Sequence, residues 1–274
     1  MSWRVGVATG CCQDIPVVEV IDAVAEASIP GVELGTPPRH FDPWHVHQVQ
    51  AVRNRLNATG VVPVSIHAPF GGLLDLSAPD SHHRYAAMGA ILSSVSALEH
   101  LEGSIVVVHP TDVERQGQDV EARLHNALAA LTTLGKTCAA MQLTLAVETP
   151  LPHLIGGHPD EFVWLLSRLN SHIGVCIDTG HVSLVSGHWE RFIDLVGPRI
   201  VHVHAHDNHG RYDDHLPPGD GVLNWQAIGN ALRGVGFTGW IILELATPRE
   251  PLAAYFARAV RQTVDRFGPP PVTA

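Results

Sequence analysis

The chain has 274 residues, 45% of them hydrophobic and 16% charged, which excludes a disordered chain and supplies the apolar material for one large core. A formal net charge of −10 argues against a nucleic-acid partner, because binding a polyanion draws on a broad positive field. The 19 histidines outnumber the 17 lysines and arginines together, and histidine is the commonest metal ligand and proton shuttle.

Along the chain, short β-branched runs alternate with longer amphipathic stretches. The runs are 3–9 (WRVGVAT), 31–35 (GVELG), 62–69 (VPVSIHAP), 104–110 (SIVVVHP), 143–150 (LTLAVETP), 173–181 (IGVCIDTGH), 200–208 (IVHVHAHDN) and 239–245 (GWIILEL). Helical patterns follow them, for example over 17–27, 119–141, 225–236 and 253–267. Apolar strands separated by helices predict βαβ units and a parallel sheet. Eight repeats predict a single (β/α)8 TIM barrel of the α/β class, over residues 1–267, with a loose tail at 268–274. A doubly wound sheet would want a Gly-rich phosphate turn after the first strand; the turn here, ATGCCQD, is neither GxGxxG nor a P-loop.

The four cysteines, Cys11, Cys12, Cys138 and Cys176, form no CxxC pair and read as reduced thiols. The start, MSWRVGVATG, runs straight into a strand without a targeting pattern. No run approaches the roughly 18 apolar residues of a membrane span. These features predict a cytoplasmic protein with no membrane contact, and leave a homo-oligomer open.

In such a barrel, chemistry sits at the carboxyl ends of the strands. Those ends carry Glu33, His67, His109, Glu148, Asp178, His204 and Glu244. A single strand-end histidine or carboxylate is most often structural. Six consecutive strands, the third to the eighth, each delivering one is a different matter. Barrel closure would point all six at one axis, where they would repel or demand several protons unless a cation lay among them. Histidine with carboxylate suits Zn²⁺, with Mn²⁺ or Fe²⁺ as alternatives, better than Ca²⁺ or Mg²⁺. Further candidates are His181, three residues past Asp178, and Asp213 and His215 in the acid-rich loop after the seventh strand.

His202, His204 and His206 share one strand face, but two residues span roughly 6.6 Å, so they cannot all reach one point. His204 is the expected ligand, His206 a support or substrate contact, and His202 a buried residue near the barrel floor. His40, His45, His47, His82, His83, His125, His153, His158, His172 and His188 fall in loops or helices, and most are expected at the surface. Trp3 and Trp225 could stack on a sugar, although core packing is the plainer reading of both.

The ordered segments SIHAPF, VVHP, AVETP, IDTGH, HVHAHDN, DDHLPPGDG and ILEL resemble the xylose isomerase-like TIM barrel superfamily. It holds sugar and sugar-phosphate isomerases and epimerases together with endonuclease IV enzymes of AP endonuclease family 2. The likeness to endonuclease IV implies up to three zinc ions. His67 and His109 would bind one ion and share Glu148 with a second, which Asp178, His204 and Glu244 complete. His181, Asp213 and His215 would hold the third. The likeness to single-metal isomerases implies only Glu148, Asp178, His204 and Glu244. The chain departs from the DNA-repair pattern in its acidity. It also has a single basic residue, Arg39, in the loop after the second strand, and Phe70 where the repair enzymes present a tyrosine.

Two enzymatic readings follow, both with a small-molecule substrate. The first in order is isomerisation or epimerisation of a sugar or sugar phosphate through a metal-stabilised enediolate. Glu148 and Glu244 would exchange the proton, His181 would assist, and Glu33 and Phe70 would meet the substrate. The alternative is multinuclear zinc hydrolysis of a phosphoester, with Arg211 neutralising the phosphate. A non-catalytic metal-binding module is the third, because a ligand ring at the catalytic end of a barrel is costly scaffolding for storage.

Overall fold

The computed structural model describes residues 3–185 and 189–271; His188 and the end of the expected tail, 272–274, lie outside the described residues. Eight parallel strands close into one barrel in sequence order, with the last pairing the first. They are β1 (Arg4–Ala8), β2 (Gly31–Gly35), β3 (Val62–His67), β4 (Ile105–Val108), β5 (Thr144–Glu148), β6 (Gly174–Asp178), β7 (Ile200–Ala205) and β8 (Trp240–Leu243). The helices among the described residues are α1 (Val17–Glu26), α2 (Val46–Thr59), α3 (Ser81–His100), α4 (Val120–Ala140), α5 (Pro159–Arg168), α6 (Thr179–Ser183), α7 (Trp189–Val196), α8 (Trp225–Gly234) and α9 (Leu252–Phe267). None is long and apolar enough to cross a membrane.

Local chemistry sets the helix starts. The side chains of Asp80, Asp119 and Asn224 accept hydrogen bonds from the first turns of α3, α4 and α8, satisfying amides that lack an intrahelical partner. Pro159 opens α5, where its missing N–H costs nothing.

The period of two along each strand divides the side chains. Val7, Leu34, Ile66, Val106, Val147, Ile177, Val203 and Leu243 belong to the large apolar layer that also takes in the helices. The alternate residues build smaller apolar clusters, Ile105–Val107–Ala146–Cys176 and Ala8–Val64–Ile242. Two residues further along those same rows stand His109 after Val107, Glu148 after Ala146, Asp178 after Cys176 and Glu244 after Ile242. The strands end sooner than the apolar runs suggest, and His109 and Glu244 lie just beyond the ladder. The run 173–181 changes to helix at once, because the Asp178 carboxylate accepts the His181 amide at 2.8 Å and caps α6.

Most of the surface histidines fall as expected, but His40 does not. It is buried, with Nδ1 2.6 Å from the Ile15 carbonyl and Nε2 2.8 Å from Thr9 Oγ1. Thr9 Oγ1 also accepts the Gly35 amide, so His40 ties the loop after β1 to the end of β2. Trp3 and Trp225 are core residues, both packed on Phe267. All four cysteines are free thiols.

At the carboxyl end of β2 two backbone segments come into close contact. A Cβ on Gly35 would lie 2.4 Å from the Gly10 Cα, a backbone contact that no rotamer change relieves. Gly35→Ala should therefore lower stability by about 1–3 kcal/mol, read as a reduced urea midpoint at unchanged slope; an unaltered midpoint would show that the loop after β1 moves freely.

Candidate metal centre

The strand ends bring a ring of imidazoles and carboxylates to the floor of an open cavity of about 1220 Å³. Glu148 is its hub. The carboxylate is 1% exposed, and its Oε2 lies 3.0 Å from His67 Nε2, 3.2 Å from His109 Nε2 and 3.4 Å from His204 Nδ1. Glu244 approaches the same His204 nitrogen at 3.6 Å. Burial pushes the Glu148 carboxyl upward, but His109 and His204 beside it hold it well below the ordinary carboxylate range. His109 is in turn raised to about 9: burial opposes protonation, and Glu148 and Asp112 overcome it.

A second group lies beside the first. His181 Nε2 and His215 Nε2 stand 3.2 Å and 3.0 Å from Asp213 Oδ2. His181 Nδ1 is 2.8 Å from the Thr149 carbonyl, and His215 Nδ1 is 2.9 Å from that of Glu244, so both rings are oriented from behind. Both are raised to about 10, against burial, by Asp213 with Asp178 acting on His181 and Glu244 on His215. Between the two groups sits Asp178. Its carboxylate is 2.9 Å from His206 Nε2, and His181 Nδ1 lies between it and Glu148, 3.9 Å from Asp178 Oδ1 and 3.7 Å from Glu148 Oε1.

Several groups of three can supply one ligand atom each within 4.8 Å: His67–His109–Glu148, His67–His204–Glu244, Asp178–His181–His206 and His206–Asp213–His215. The donor set fits a cation for a specific reason. His204 Nε2 faces Glu33 at 3.0 Å, while its buried Nδ1 has no hydrogen-bond partner and points between Glu148 and Glu244. An unprotonated nitrogen facing two carboxylates is repulsive unless a proton or a metal ion lies between them. Asp213 Oδ1 is likewise buried without a partner.

Glu33 stands on the cavity floor with 0% exposure. Its carboxylate takes His204, His202 Nε2 at 3.0 Å and the Ser65 hydroxyl at 2.7 Å. Burial would raise it, but the two histidines hold it well below the usual range. Its carboxylate is thus committed to Ser65, His202 and His204. His202 is fully buried in that cluster, at the place in the barrel that its strand position implies. Phe70 lies over the first group, its ring centre 4.9 Å from His67 and 4.1 Å from His109. His206 is fully buried and stacks on His215 at 4.1 Å. Arg211 is exposed in the loop after β7 and is not among the residues lining the cavity.

Residues 21–263 match the family described as xylose isomerase-like TIM barrel. The chain belongs to that family. Among curated relatives it is 25% identical over 233 residues to an uncharacterized protein of Methanocaldococcus jannaschii, covering 82% of this chain and 77% of that one. It is 22% identical over 181 residues to a probable endonuclease 4 of Clostridium botulinum, 61% of this chain and 64% of that one. Among solved structures, the IolI protein with a bound zinc atom superimposes with a TM-score of 0.84 at 16% identity, over 96% of this chain and 98% of that chain. A D-tagatose 3-epimerase-like protein gives 0.83 at 20% identity, over 96% and 97%. At these identities the superpositions show the shared fold.

This xylose isomerase-like barrel also uses residues that the sequence reading passed over. Asp207, next to His206, is fully buried. It accepts the amides of Asn208, Gly219 and Leu223 and the Trp225 indole N–H, all at 2.7–3.1 Å. Its backbone pairs in both directions with Leu216. Asp207 therefore folds the long β7–α8 loop back on itself and presents Asp213 and His215. His215 stands at φ 49, a left-handed conformation that is costly outside glycine and persists where the surroundings impose it. Gly180 has a similar role: a Cβ there would lie 1.9 Å from His206 Cε1. The signal for Asp207 was its position in HVHAHDN, but which amides it collects depends on the path of the loop.

Asp207→Asn should destabilise the protein by about 2–3 kcal/mol, since an amide nitrogen would face an N–H donor; a change below about 0.5 kcal/mol would remove the loop-clamp role. A second expectation concerns pH. His109, His181 and His215 are held above their ordinary 6.5. Their stabilisation is complete below about pH 6.5 and lost as pH rises through their folded values. The chelator-treated protein should lose thermal stability between about pH 7 and pH 10, and a flat melting midpoint there would contradict these raised values.

Proposed function

We propose that the chain is a divalent-metal-dependent isomerase or epimerase of a sugar-like substrate carrying a carbonyl. The observation that carries this reading is the orphaned Nδ1 of His204 between Glu148 and Glu244 at the floor of the cavity. Support comes from the zinc-bound IolI and epimerase neighbours of like fold. A D-psicose 3-epimerase of Enterocloster bolteae is also 31% identical over 75 residues, 27% of this chain and 23% of that one.

Glu148, His204 and Glu244 would hold the ion, with Asp178 adjoining. The mixed imidazole and carboxylate donors suit zinc, with manganese or iron as alternatives. When bound, such an ion polarises a carbonyl oxygen and its neighbouring hydroxyl. The remaining work falls to the chain's own side chains. Glu148 and Glu244 approach His204 from two strands, so one carboxylate can take the proton next to the carbonyl and the other return it. Glu148 is held ionised by its histidines, the state a base needs. His181, anchored on Asp213 and the Thr149 carbonyl, can hold or pass a hydroxyl proton. Glu33 and His202 fix the ring of His204 from below, which orients a ligand and sets its tautomer.

The His67–His109–Glu148 group is the specific observation favouring a second reading, phosphoester hydrolysis at a multinuclear centre. Solvent exchange separates the two. In deuterated water with zinc or manganese, the protein should exchange the hydrogen next to the carbonyl of at least one ketohexose, followed by NMR. Glu148→Gln should lower that exchange by about 10²–10⁴-fold and release metal. His109→Ala should retain exchange within about tenfold, because His204, Glu148 and Glu244 remain. Undiminished exchange in Glu148→Gln would remove this assignment. Absent exchange, with phosphoester cleavage that His109→Ala abolishes, would establish the second reading.

A further inference from the structure

The cavity is larger and less polar than a bare sugar requires. Drug-sized ligands occupy pockets of roughly 300–1,000 Å³, and a hexose is smaller than those ligands; this cavity measures about 1220 Å³. While Asp42 and Asp112 stand on the loops after β2 and β4, its imidazoles and the carboxylates of Glu148 and Glu244 lie at the metal-centre floor. From there an apolar wall rises on the loops after β2, β3 and β5, built by Trp44, Phe70, Leu74, Leu151 and Leu154. The wall begins at the centre itself, because the Phe70 ring lies against His67 and His109. Trp44 is 66% exposed and Phe70 50% exposed, and both line this same cavity.

The side of α3 that faces this wall is small. Ala86, Gly89 and Ala90 line the cavity, and a Cβ on Gly89 would meet nothing within 4 Å. The space is therefore an arm of the cavity bordered by helix backbone, with no side chain filling it.

Charge points the same way. Among the described residues lining the cavity there is no arginine or lysine, while Asp42, Asp112, Asp213 and Asp214 add carboxylates to those of Glu148 and Glu244. A phosphate dianion is recognised by guanidinium, ammonium or clustered amide donors; here it would face several like charges. A neutral polyhydroxylated ring with an apolar extension meets neither obstacle.

We propose that this site takes a neutral sugar bearing an apolar aryl or alkyl substituent, the sugar at the metal-centre floor and the substituent in the arm between Trp44, Phe70, Leu74 and α3. The polar half of this inference rests on the sugar reading above; the apolar half rests on the cavity alone.

The test is calorimetric binding to the zinc-loaded full-length protein, which requires no turnover. The probes are matched phenyl and methyl pyranosides of glucose, galactose and mannose, with glucose 6-phosphate as the charged comparison. For at least one sugar the phenyl form should bind at least about tenfold tighter than the methyl form, the gain expected from burying most of one aromatic ring. Gly89→Phe puts a ring into the arm at a helical position with open space, and should erase that difference without lowering the melting temperature. Equal affinities within every pair, no binding by any glycoside, or tighter binding of the phosphate would each overturn the proposal. If phenyl selectivity appears and Gly89→Phe removes it while no ketohexose exchanges hydrogen, the arm stands and the isomerase reading fails. If exchange is found and phenyl selectivity is not, the reverse holds.

Discussion

The burial of the Glu148 carboxylate among three imidazoles governs the rest of this structure. An ionised carboxylate taken out of water is tolerated only when it is paired and hydrogen-bonded. Its partners come from three different strands, β3 by His67, β7 by His204 and the end of β4 by His109. That arrangement requires a closed barrel: in an open sheet, β3 and β7 would stand apart, and no single oxygen could lie within 3.4 Å of both histidines. The fold and the centre are thus one constraint seen at two scales.

The support beneath the centre follows the same rule. His204 turns one nitrogen to Glu148 and Glu244 because its other nitrogen is held by Glu33, which His202 and Ser65 hold in turn. These groups sit on the hydrogen-bonded strands β2, β3 and β7. Asp213 and His215 come instead from a long loop. There the task of fixing position passes to Asp207, whose four N–H partners make an irregular segment behave as a rigid one. Two kinds of scaffold, ladder and clamped loop, therefore deliver candidate ligands to neighbouring places. The loop-borne set depends on one buried carboxylate that touches none of it directly.

The barrel and the strand-borne residues were legible because both rest on short-range regularities. The alternation of strand and helix predicts eight βαβ units, and the period of two places Glu148 after Ala146 and Glu244 after Ile242 on the inward rows. The same rule put His202 below His204. What escaped sequence reading depends on where loops return. Glu33 sits on an inward row like the others, and only the register between β2, β3 and β7 shows that its carboxylate is enclosed by Ser65, His202 and His204. His40 reads as an ordinary loop histidine until Thr9 and Ile15 come within reach of its ring. Arg211 and His215 stand four residues apart in one loop, yet only His215 turns to the centre, because Leu216 pairs with Asp207. No pattern in sequence reports the empty space beside Gly89, since a cavity is defined by residues from several loops at once.

The acidity that first argued against a polyanionic partner has a local counterpart in the cavity. Among the described residues lining it, carboxylates outnumber the imidazoles, which are the only groups there that can offset them. Glu148, Asp178, Asp213 and Glu244 beside them hold His109, His181 and His215 above the ordinary histidine range. A divalent ion and these protons compete for the same electrons. Loading such a centre therefore releases protons, and its affinity rises with pH until the rings are free. The charge that raises these imidazoles is the charge that would draw a cation. The apolar wall beside it keeps a low-dielectric flank against that charge, strengthening attraction for a cation and repulsion of a second anion alike. One electrostatic arrangement would thus favour a cation and disfavour an anionic substrate together.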